Sequence, residues 1–437
     1  MAKRSVEVQV LDSDFSVLLR ESVTYEFKME SRSKTRLRNF VMLCMLLALT
    51  GIIYFSYFCS DKLCPMAARK PSWTEWNPKF PDQDNLGKPL SLHSSPFNSK
   101  TSNPGLSYDD VLNENFQFDM NAHDVMVFLH IQKTGGTSFG KHLVLDLDLQ
   151  KPCTCHRKRK RCYCFRPNRN ENWLFSRYST GWKCGLHADW TELTSCVDNE
   201  FDKNEGDSVK RRYFYITLLR EPISRYLSEF RHVQRGATWK HSRHWCGGRE
   251  ATEAELPLCY RGESWTDVTL DEFMSCPFNL AHNRQTRMMS DLALVGCYNT
   301  SYMSPTERNS VMLASAKRNL AAMAFFALTE YQKIGQYVFE ETFNLRFGVP
   351  FEQHNATLSS STLSTLSAQQ LTKIRELNAL DLELYEFAKT LMYKRFNKLK
   401  SRDSQFEERF AHLGKLPGRT EFNWDQAIED VTYSTNT

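Results

Sequence analysis

The sequence has 437 residues, of which 41% are hydrophobic and 13% aromatic. This composition supplies apolar side chains for a sizeable core and excludes a chain that is disordered throughout. The formal net charge of +5 is small for this length, so we expect basic residues to act through local clusters rather than through the total charge. One large domain with accessory segments is expected.

An apolar segment near the N-terminus predicts a membrane anchor. Residues 40–59 are twenty consecutive uncharged residues, the length that a helix needs to cross a bilayer. A cleaved signal peptide normally lies closer to the first Met, so we interpret this segment as a retained signal-anchor. A buried core helix is the alternative, but such a helix is rarely apolar on every face.

The charges that flank this segment predict its orientation. Basic residues are more frequent in the ten residues before the segment than in the ten after it, which places the N-terminus in the cytosol and the remaining chain in the lumen. They are Arg32, Lys34, Arg36 and Arg38 before it, and Lys62 and Arg69 after it. The sequence therefore predicts a single-pass type II membrane protein.

The rest of the chain is divided by composition. Residues 1–39 are a predicted cytoplasmic tail, and residues 60–115 are a predicted lumenal stem because prolines recur there among Ser, Asn and Lys. We assign residues 116–400 to the catalytic domain and residues 401–437 to a polar C-terminal tail.

Cysteines and glycosylation motifs agree with a lumenal domain. Ten of the 13 cysteines fall between Cys153 and Cys297, an even number in a compartment that permits disulfides. The paired Cys-x-Cys motifs have shorter spacers than structural zinc sites, so we favour disulfides and predict no metal; the pairing stays open. Asn299 and Asn355 lie in N-glycosylation sequons.

Apolar segments alternate with helical patterns in the predicted catalytic domain. Such alternation predicts an α/β domain with a mainly parallel central sheet and helices on both faces. The predicted strands cover residues 124–129, 213–219 and 323–328, and the predicted helices cover 139–147, 222–232, 330–343 and 368–400.

The loop after the first predicted strand is a candidate anion site. Backbone N–H groups and the positive end of a helix dipole favour a phosphate or sulfate at such a loop. Paired glycines allow close approach, a Lys adds charge, and Thr or Ser could cap the helix and donate a hydroxyl. It is not a Walker A loop, since Lys precedes the glycines, and a plain turn is the alternative. The residues are His130, Ile131, Gln132, Lys133, Thr134, Gly135, Gly136, Thr137 and Ser138.

A second strand-to-helix junction strengthens this interpretation. Arg220 closes the second predicted strand, and Ser228 lies two turns along the following helix. Both side chains could face one anion.

Together these motifs resemble the heparan sulfate 6-O-sulfotransferase family of the sulfotransferase superfamily. The resemblance covers about residues 116–400 and includes residues 128–136, 166–169, 173–177, 179–182, 184–190, 232–239 and 283–285. It implies a P-loop-like sulfotransferase fold and 3′-phosphoadenosine 5′-phosphosulfate as the sulfate donor. In that family the first loop binds the 5′-phosphosulfate, and the Arg and Ser of the second junction bind the 3′-phosphate.

The resemblance also implies a donor contact near the end of the domain. Glu352, Gln353 and His354 match a segment that contacts the donor nucleotide. The sequence departs from the family pattern just beyond them, at residues 358–360.

Sulfuryl transfer to a hydroxyl needs a base and positive charge on the leaving phosphate oxygen. By the resemblance, His187 is the proton acceptor, and Lys133 supplies the charge. His130, at the strand end beside the loop, is the rival base, although we interpret it as shaping the loop.

A basic segment predicts the acceptor. The run from His156 to Arg161 would suit nucleic acid, but a lumenal domain does not meet nucleic acid, so a polyanionic glycan is the expected partner. A solvated charged surface is the alternative. The resemblance implies that the acceptor cleft is lined by Lys160, Arg161, Arg177, Trp182, His187, His232 and Trp239.

The sequence thus predicts a Golgi membrane enzyme that transfers a sulfuryl group to the 6-O position of glucosamine in heparan sulfate. A 2-O or 3-O sulfotransferase for a glycosaminoglycan is an alternative, because it would have a similar composition. A non-catalytic lumenal heparan-binding protein remains a weaker alternative. A phosphotransferase is disfavoured, since we find no acidic magnesium ligands beside a nucleotide loop.

Overall fold

The structure is a computed structural model that describes residues 117–156, 159–206, 209–352 and 358–417. The predicted anchor at residues 40–59, the predicted stem, and Gln353, His354 and Asn355 lie outside these residues. Within the described ranges, no helix has the length and apolar character needed to cross a membrane.

Strands and helices alternate through most of the described chain. In chain order they are β1 (Asp124–Leu129), α1 (Gly136–Leu145), β2 (Thr154–Cys155), β3 (Cys162–Tyr163), β4 (Leu174–Phe175), α2 (Trp190–Glu205), β5 (Arg212–Leu219), α3 (Pro222–Gln234), β6 (Trp245–Cys246), β7 (Arg249–Glu250), α4 (Leu270–Ser275), α5 (Arg284–Met289), a 3₁₀ turn (Leu292–Val295), α6 (Pro305–Ala322), β8 (Phe325–Leu328), α7 (Gln332–Phe343), α8 (Leu358–Leu363), α9 (Ala368–Leu377), α10 (Ala379–Arg402) and α11 (Phe406–Leu413).

The central sheet has the strand order β4-β1-β5-β8, and every pair in it is parallel. Leu129 of β1 pairs with Thr217 of β5, and Leu219 pairs with Leu328 of β8. Because parallel strands end at the same edge, the loops that follow β1 and β5 meet there. The predicted parallel sheet is confirmed.

Side chains that alternate along β1 separate the two faces of the sheet. Met126 and Phe128 pack into one apolar cluster with α1 and α7. Val125 and Val127 pack into a second cluster with α2, α6 and α10. Both faces of β1 are therefore buried, as expected for a parallel sheet covered by helices. A third cluster joins α3, α4 and α9 beside the sheet.

The predicted helix at residues 368–400 is divided at Asn378. α9 ends and α10 begins there, and the Asn378 side chain donates to the Ile374 carbonyl at 2.8 Å. The packed domain also extends beyond residue 400, where a polar tail was predicted. Phe406 and Leu413 of α11 are buried in the first cluster, because their spacing places both on one helical face.

The ten cysteines between Cys153 and Cys297 form five disulfides, which confirms the preference for disulfides over metal and defines the pairing. The pairs are Cys153–Cys164, Cys155–Cys162, Cys184–Cys196, Cys246–Cys297 and Cys259–Cys276. The first two join the ends of the β2–β3 hairpin, which contains the basic segment.

Candidate active site

The glycine loop leaves β1 at Leu129 and enters α1 at Gly136. Gly135 is the N-cap of α1, with φ of 82°, a left-handed conformation that favours glycine. Thr137 and Ser138 were predicted to cap the helix, but the cap lies at Gly135 and makes no side-chain hydrogen bond. Both residues are instead exposed in the first turn of α1.

The first residue of α1 is closely packed against His130. A Cβ atom at Gly136 would lie 2.4 Å from Cδ2 of His130, so only glycine fits. N–H groups in the first turn of a helix have no carbonyl partner within that helix. The loop therefore presents N–H donors and the positive end of the α1 dipole, which fits a phosphosulfate group.

Neighbouring strand ends fix the shape of the loop. The Thr329 hydroxyl, just after β8, donates to the Thr134 carbonyl at 2.7 Å. Thr217 of β5 donates to the Leu129 carbonyl at 2.8 Å, and the Thr134 hydroxyl donates to the Ile131 carbonyl at 3.0 Å. These bonds hold the loop before any ligand binds, so little ordering is needed on binding.

Two cations meet at this loop. Lys133 has φ of 65°, an uncommon conformation for a residue with a side chain. The Arg220 guanidinium donates to the Lys133 carbonyl at 3.2 Å. Burial lowers the pKa of Lys133, an effect that Glu229 opposes and that Arg235 and Arg220 strengthen. Cations that are partly desolvated interact strongly with an anion.

Ser228 lies on α3, which begins directly after Arg220 and Glu221. Glu221 caps this helix by accepting from the backbone N–H groups of Ile223 and Ser224. Ser228 is partly buried. Arg220 therefore lies just before the helix that carries Ser228, so both residues of the predicted second phosphate site belong to one strand-to-helix junction.

His187 lies against the glycine loop, although 57 residues separate it from His130. Its Nδ1 lies 2.9 Å from the His130 carbonyl oxygen, so Nδ1–H donates and Nε2 remains as the proton acceptor. Burial lowers the pKa of His187 to about 4, despite the opposing hydrogen bond to His130. His187 is therefore neutral at pH 7, the form that a base requires.

The chain that follows His187 is anchored by a capping box. Asp189 caps α2, its carboxylate accepts from the Glu192 N–H at 3.0 Å, and Glu192 accepts from the Asp189 N–H at 2.8 Å. Glu192 also accepts from the N–H of Trp245 at 2.9 Å. Burial and the neighbouring Asp189 raise the pKa of Glu192. His187 itself has φ of 54°, so these contacts maintain an uncommon backbone conformation.

His130, the rival base, is enclosed. It is 6% exposed, stacks on Phe128 with ring centroids 5.3 Å apart, and has an Nδ1 atom without a hydrogen-bond partner. Burial lowers the pKa of His130 well below its ordinary value, and the electrostatic effects of His187 and Arg177 lower it further. Its ring edge lies against Gly136, which agrees with a role in shaping the loop.

Two tryptophan rings lie beside His187. The ring centroid of Trp182 lies 4.6 Å from that of His187, and the Trp239 centroid lies 6.4 Å away. Arg177 lies over Trp182 at 5.6 Å, and His232 lies 5.8 Å from Trp239. These predicted acceptor residues form one continuous surface beside the loop, with faces suited to sugar rings and cations suited to acidic groups.

An open cavity of about 320 Å³ adjoins this surface. Its walls include Gln132 from the loop, Trp239, Glu229 and Arg284. Gln132 is 3% exposed, and its Oε1 atom has no hydrogen-bond partner. A buried acceptor that is left unpaired favours a ligand hydroxyl or N–H at this position.

The hairpin supplies the exposed cations. Lys160 and Arg161 are both exposed, and Arg161 donates to the Thr180 carbonyl at 3.3 Å. The Arg161 side chain also lies against Gly181, which precedes Trp182. Arg161 is therefore continuous with the aromatic surface. Glu352 is exposed, and its predicted partners Gln353 and His354 lie outside the described residues.

Sequence reasoning gave no role to several residues that hold the site together. Glu229 accepts from Arg284 at 2.5 Å and from Arg225, and these cations lower its pKa to about 2 although burial opposes them. Arg284 in turn lies 5.4 Å from the Trp239 ring. The motif at residues 283–285 was noted, but the sequence contains no indication of what its side chains contact.

Comparison with known proteins agrees with this geometry. The Sulfotransferase family matches residues 116–388. Heparan-sulfate 6-O-sulfotransferase 3-B of Danio rerio is 50% identical over 347 residues, which cover 79% of this chain and 80% of that protein. Heparan-sulfate 6-O-sulfotransferase 1 of Homo sapiens is 55% identical over 287 residues, 65% of this chain and 69% of that protein. Heparan-sulfate 6-O-sulfotransferase 2 of Gallus gallus is 55% identical over 290 residues, which cover 66% of this chain and 72% of that protein.

Proposed function

This chain belongs to the sulfotransferase family, among the heparan-sulfate 6-O-sulfotransferases, and we propose that it transfers a sulfuryl group to the 6-O position of glucosamine in heparan sulfate. The observation that carries the proposal is the hydrogen bond between His187 and His130. It joins a neutral base to a loop built for an anion, beside a surface of tryptophans and cations.

The donor is 3′-phosphoadenosine 5′-phosphosulfate, which supplies the activated sulfuryl group. The loop from His130 to Ser138 binds the 5′-phosphosulfate through backbone N–H groups and Lys133. Arg220 and Ser228 bind the 3′-phosphate. Support comes from Gly136, where the His130 ring leaves no room for a side chain, and from the hydrogen bond that the Arg220 guanidinium donates to the Lys133 carbonyl.

His187 is the general base. Its Nε2 accepts the proton of the glucosamine hydroxyl as the sugar oxygen forms its bond to sulfur and the bond from sulfur to the phosphate oxygen breaks. Lys133 neutralises the charge that develops on that leaving oxygen. The pKa of His187, lowered by burial, keeps it unprotonated before the reaction.

The acceptor polysaccharide lies along Arg177, Trp182, His232 and Trp239 and extends to Lys160 and Arg161. The guanidinium and ammonium groups pair with sulfates and carboxylates of the chain. The tryptophan faces contact sugar rings.

The enzyme is a Golgi protein, anchored through residues 40–59 with its catalytic domain in the lumen. The five disulfides support this placement, because disulfides form in the secretory pathway and are rare in the cytosol. Asn299 carries an N-linked glycan. It is exposed in a turn directly after Tyr298, where an oligosaccharide can be attached.

One assay separates this function from its alternatives. The purified lumenal part of the chain, from residue 60 onward, is incubated with ³⁵S-labelled donor and desulfated heparin, and the product is digested to disaccharides. We expect 3′,5′-bisphosphoadenosine and 6-O-sulfated glucosamine. Label at a 2-O or 3-O position would overturn the regiochemistry, and heparin binding without transfer would indicate a non-catalytic protein.

A further inference from the structure

Gln285 makes a two-point contact with the backbone of Arg220. Its Oε1 accepts from the Arg220 N–H at 2.8 Å, and its Nε2 donates to the Arg220 carbonyl at 2.9 Å. A side-chain amide has one acceptor and an N–H donor in the arrangement of a peptide group. Gln285 thus takes the place of a strand partner.

Arg220 needs such a partner because the sheet ends before it. The last residue of β5 is Leu219, which pairs with Leu328 at the end of β8. The Leu219 carbonyl accepts from the N–H of Thr329 at 2.8 Å, and beyond this point β8 has turned away. Without Gln285, the backbone of Arg220 would lose the two bonds that continue the ladder.

Gln285 is itself held rigidly. It is 1% exposed and lies in α5, whose six residues are all buried. The Gln285 N–H donates to the Asp381 carboxylate at 3.0 Å, and the N–H and hydroxyl of Thr286 donate to the same carboxylate at 2.7 and 2.8 Å. The Asn283 side chain accepts from the N–H groups of Leu380 and Asp381 at 2.9 and 3.2 Å. The start of α10 therefore fixes the amide that holds Arg220.

We propose that Gln285 is a positioning residue that aims the Arg220 guanidinium at the 3′-phosphate of the donor. The proposal rests on the proposed function, since the donor defines the phosphate. Arg220 reaches the Lys133 carbonyl as well, so an error in its backbone would misplace a cation shared by both phosphate sites. The effect is expected on donor binding rather than on the base or the acceptor surface.

The test is the affinity of the lumenal protein for 3′,5′-bisphosphoadenosine, measured by isothermal titration calorimetry on wild type and Gln285→Met. Methionine keeps the approximate volume and removes both hydrogen bonds. We expect Kd to rise about tenfold, because two buried backbone groups lose their partners and the guanidinium is no longer held in place. The acceptor KM and the kcat at saturating donor should change by less than about twofold.

A matched control tests whether the loss of any buried amide gives the same result. Asn319 is 5% exposed, and its Nδ2 donates to the Met289 carbonyl at 2.8 Å, so it contacts the last residue of α5 without the contact that Gln285 makes with Arg220. Asn319→Ala should lower the melting temperature but leave Kd for bisphosphoadenosine unchanged. An equal loss of affinity in both variants would overturn the positioning role.

A double-mutant cycle with Arg220→Met identifies the route of the effect. If Gln285 acts through Arg220, adding Gln285→Met to Arg220→Met changes Kd no further. If each substitution instead raises Kd independently, so that the two factors multiply in the double variant, the proposal is contradicted. Should Gln285→Met fail to fold, Gln285→Glu keeps the acceptor for the Arg220 N–H, and unchanged affinity in it would also overturn the inference. Wild type that does not bind the nucleotide would instead refute the proposed function.

Discussion

The imidazole Nδ1 of His187 lies 2.9 Å from the main-chain carbonyl oxygen of His130, the first residue after β1. One hydrogen bond therefore sets both the tautomer of the histidine and its distance from the glycine loop. A base oriented in this way needs little reorganisation when the reacting groups bind. The contact also explains why two histidines remain close together in a buried site, since the low pKa of each keeps both neutral.

Replacing His187 should strongly slow transfer without preventing donor binding. We expect His187→Ala to lower kcat by about 10²- to 10⁴-fold, the usual contribution of a general base. Transfer of labelled sulfate gives kcat, and calorimetry with bisphosphoadenosine gives donor affinity. His123→Ala is the control, because His123 is partly exposed and pairs with Glu171 rather than with the loop. Full activity in His187→Ala would show that another group accepts the proton.

The acid limb of the pH profile should lie well below the ordinary histidine range. In the proposed mechanism the neutral form of His187 is active, and burial lowers the pKa of His187 to about 4. As pH falls from 7, the neutral fraction stays near one and declines only as pH approaches that value. We expect kcat/KM for the donor to follow this curve, since it reports groups of the free enzyme. NMR titration of the His187 ring checks the assignment, and a midpoint near 6.5 would contradict it.

Gly136→Ala should weaken donor binding. The added Cβ would meet the His130 ring at 2.4 Å, so the ring or the loop must shift. We expect Kd for bisphosphoadenosine to rise by about tenfold or more, equivalent to about 1.4 kcal/mol. Gly348→Ala is a suitable control, because a Cβ there would contact only the Asp146 carbonyl, at 3.7 Å. Equal affinity in the two variants would argue that the loop does not bind the donor.

Neutralising the basic hairpin should affect the acceptor alone. For the double variant Lys160→Ala and Arg161→Ala, we expect a higher acceptor KM and a weaker dependence of that KM on salt, since fewer ion pairs form with the polyanion. Donor affinity should not change. Lys203→Ala removes an exposed charge from α2, where Lys203 pairs with Glu200, and serves as the control. An unaltered salt dependence would exclude the hairpin from the acceptor site.

Local sequence determined the parts of the structure that depend on neighbours in the chain. The alternation of apolar strand and helical pattern predicted β1, β5 and β8 and the helices that follow them, because burial on both faces requires continuous apolar runs. The glycine loop was also readable, since its residue types are those that an anion needs. By contrast, β4 has two residues, too few for a pattern to be recognised.

The resemblance to a known family supplied the residues that local patterns could not. His187, Trp182 and Trp239 lie in separate segments, and no periodicity relates them. The structure brings the ring centroids of Trp182 and Trp239 to 4.6 and 6.4 Å from that of His187. Their meeting depends on the parallel pairing that places the ends of neighbouring strands at one edge of the sheet.

The sequence by itself determined the fold class, the position of the glycine loop after the first strand and the disulfide-rich character of the domain, because each follows from residue types and short spacings. Only the tertiary structure decided the disulfide pairing, the hydrogen bond from His187 to His130, and the contact of Gln285 with Arg220 across 65 residues. Hydrogen bonds act over about 3 Å, whereas the chain positions that they join are set by the packing of whole strands and helices. Sequence distance therefore carries no information about such contacts.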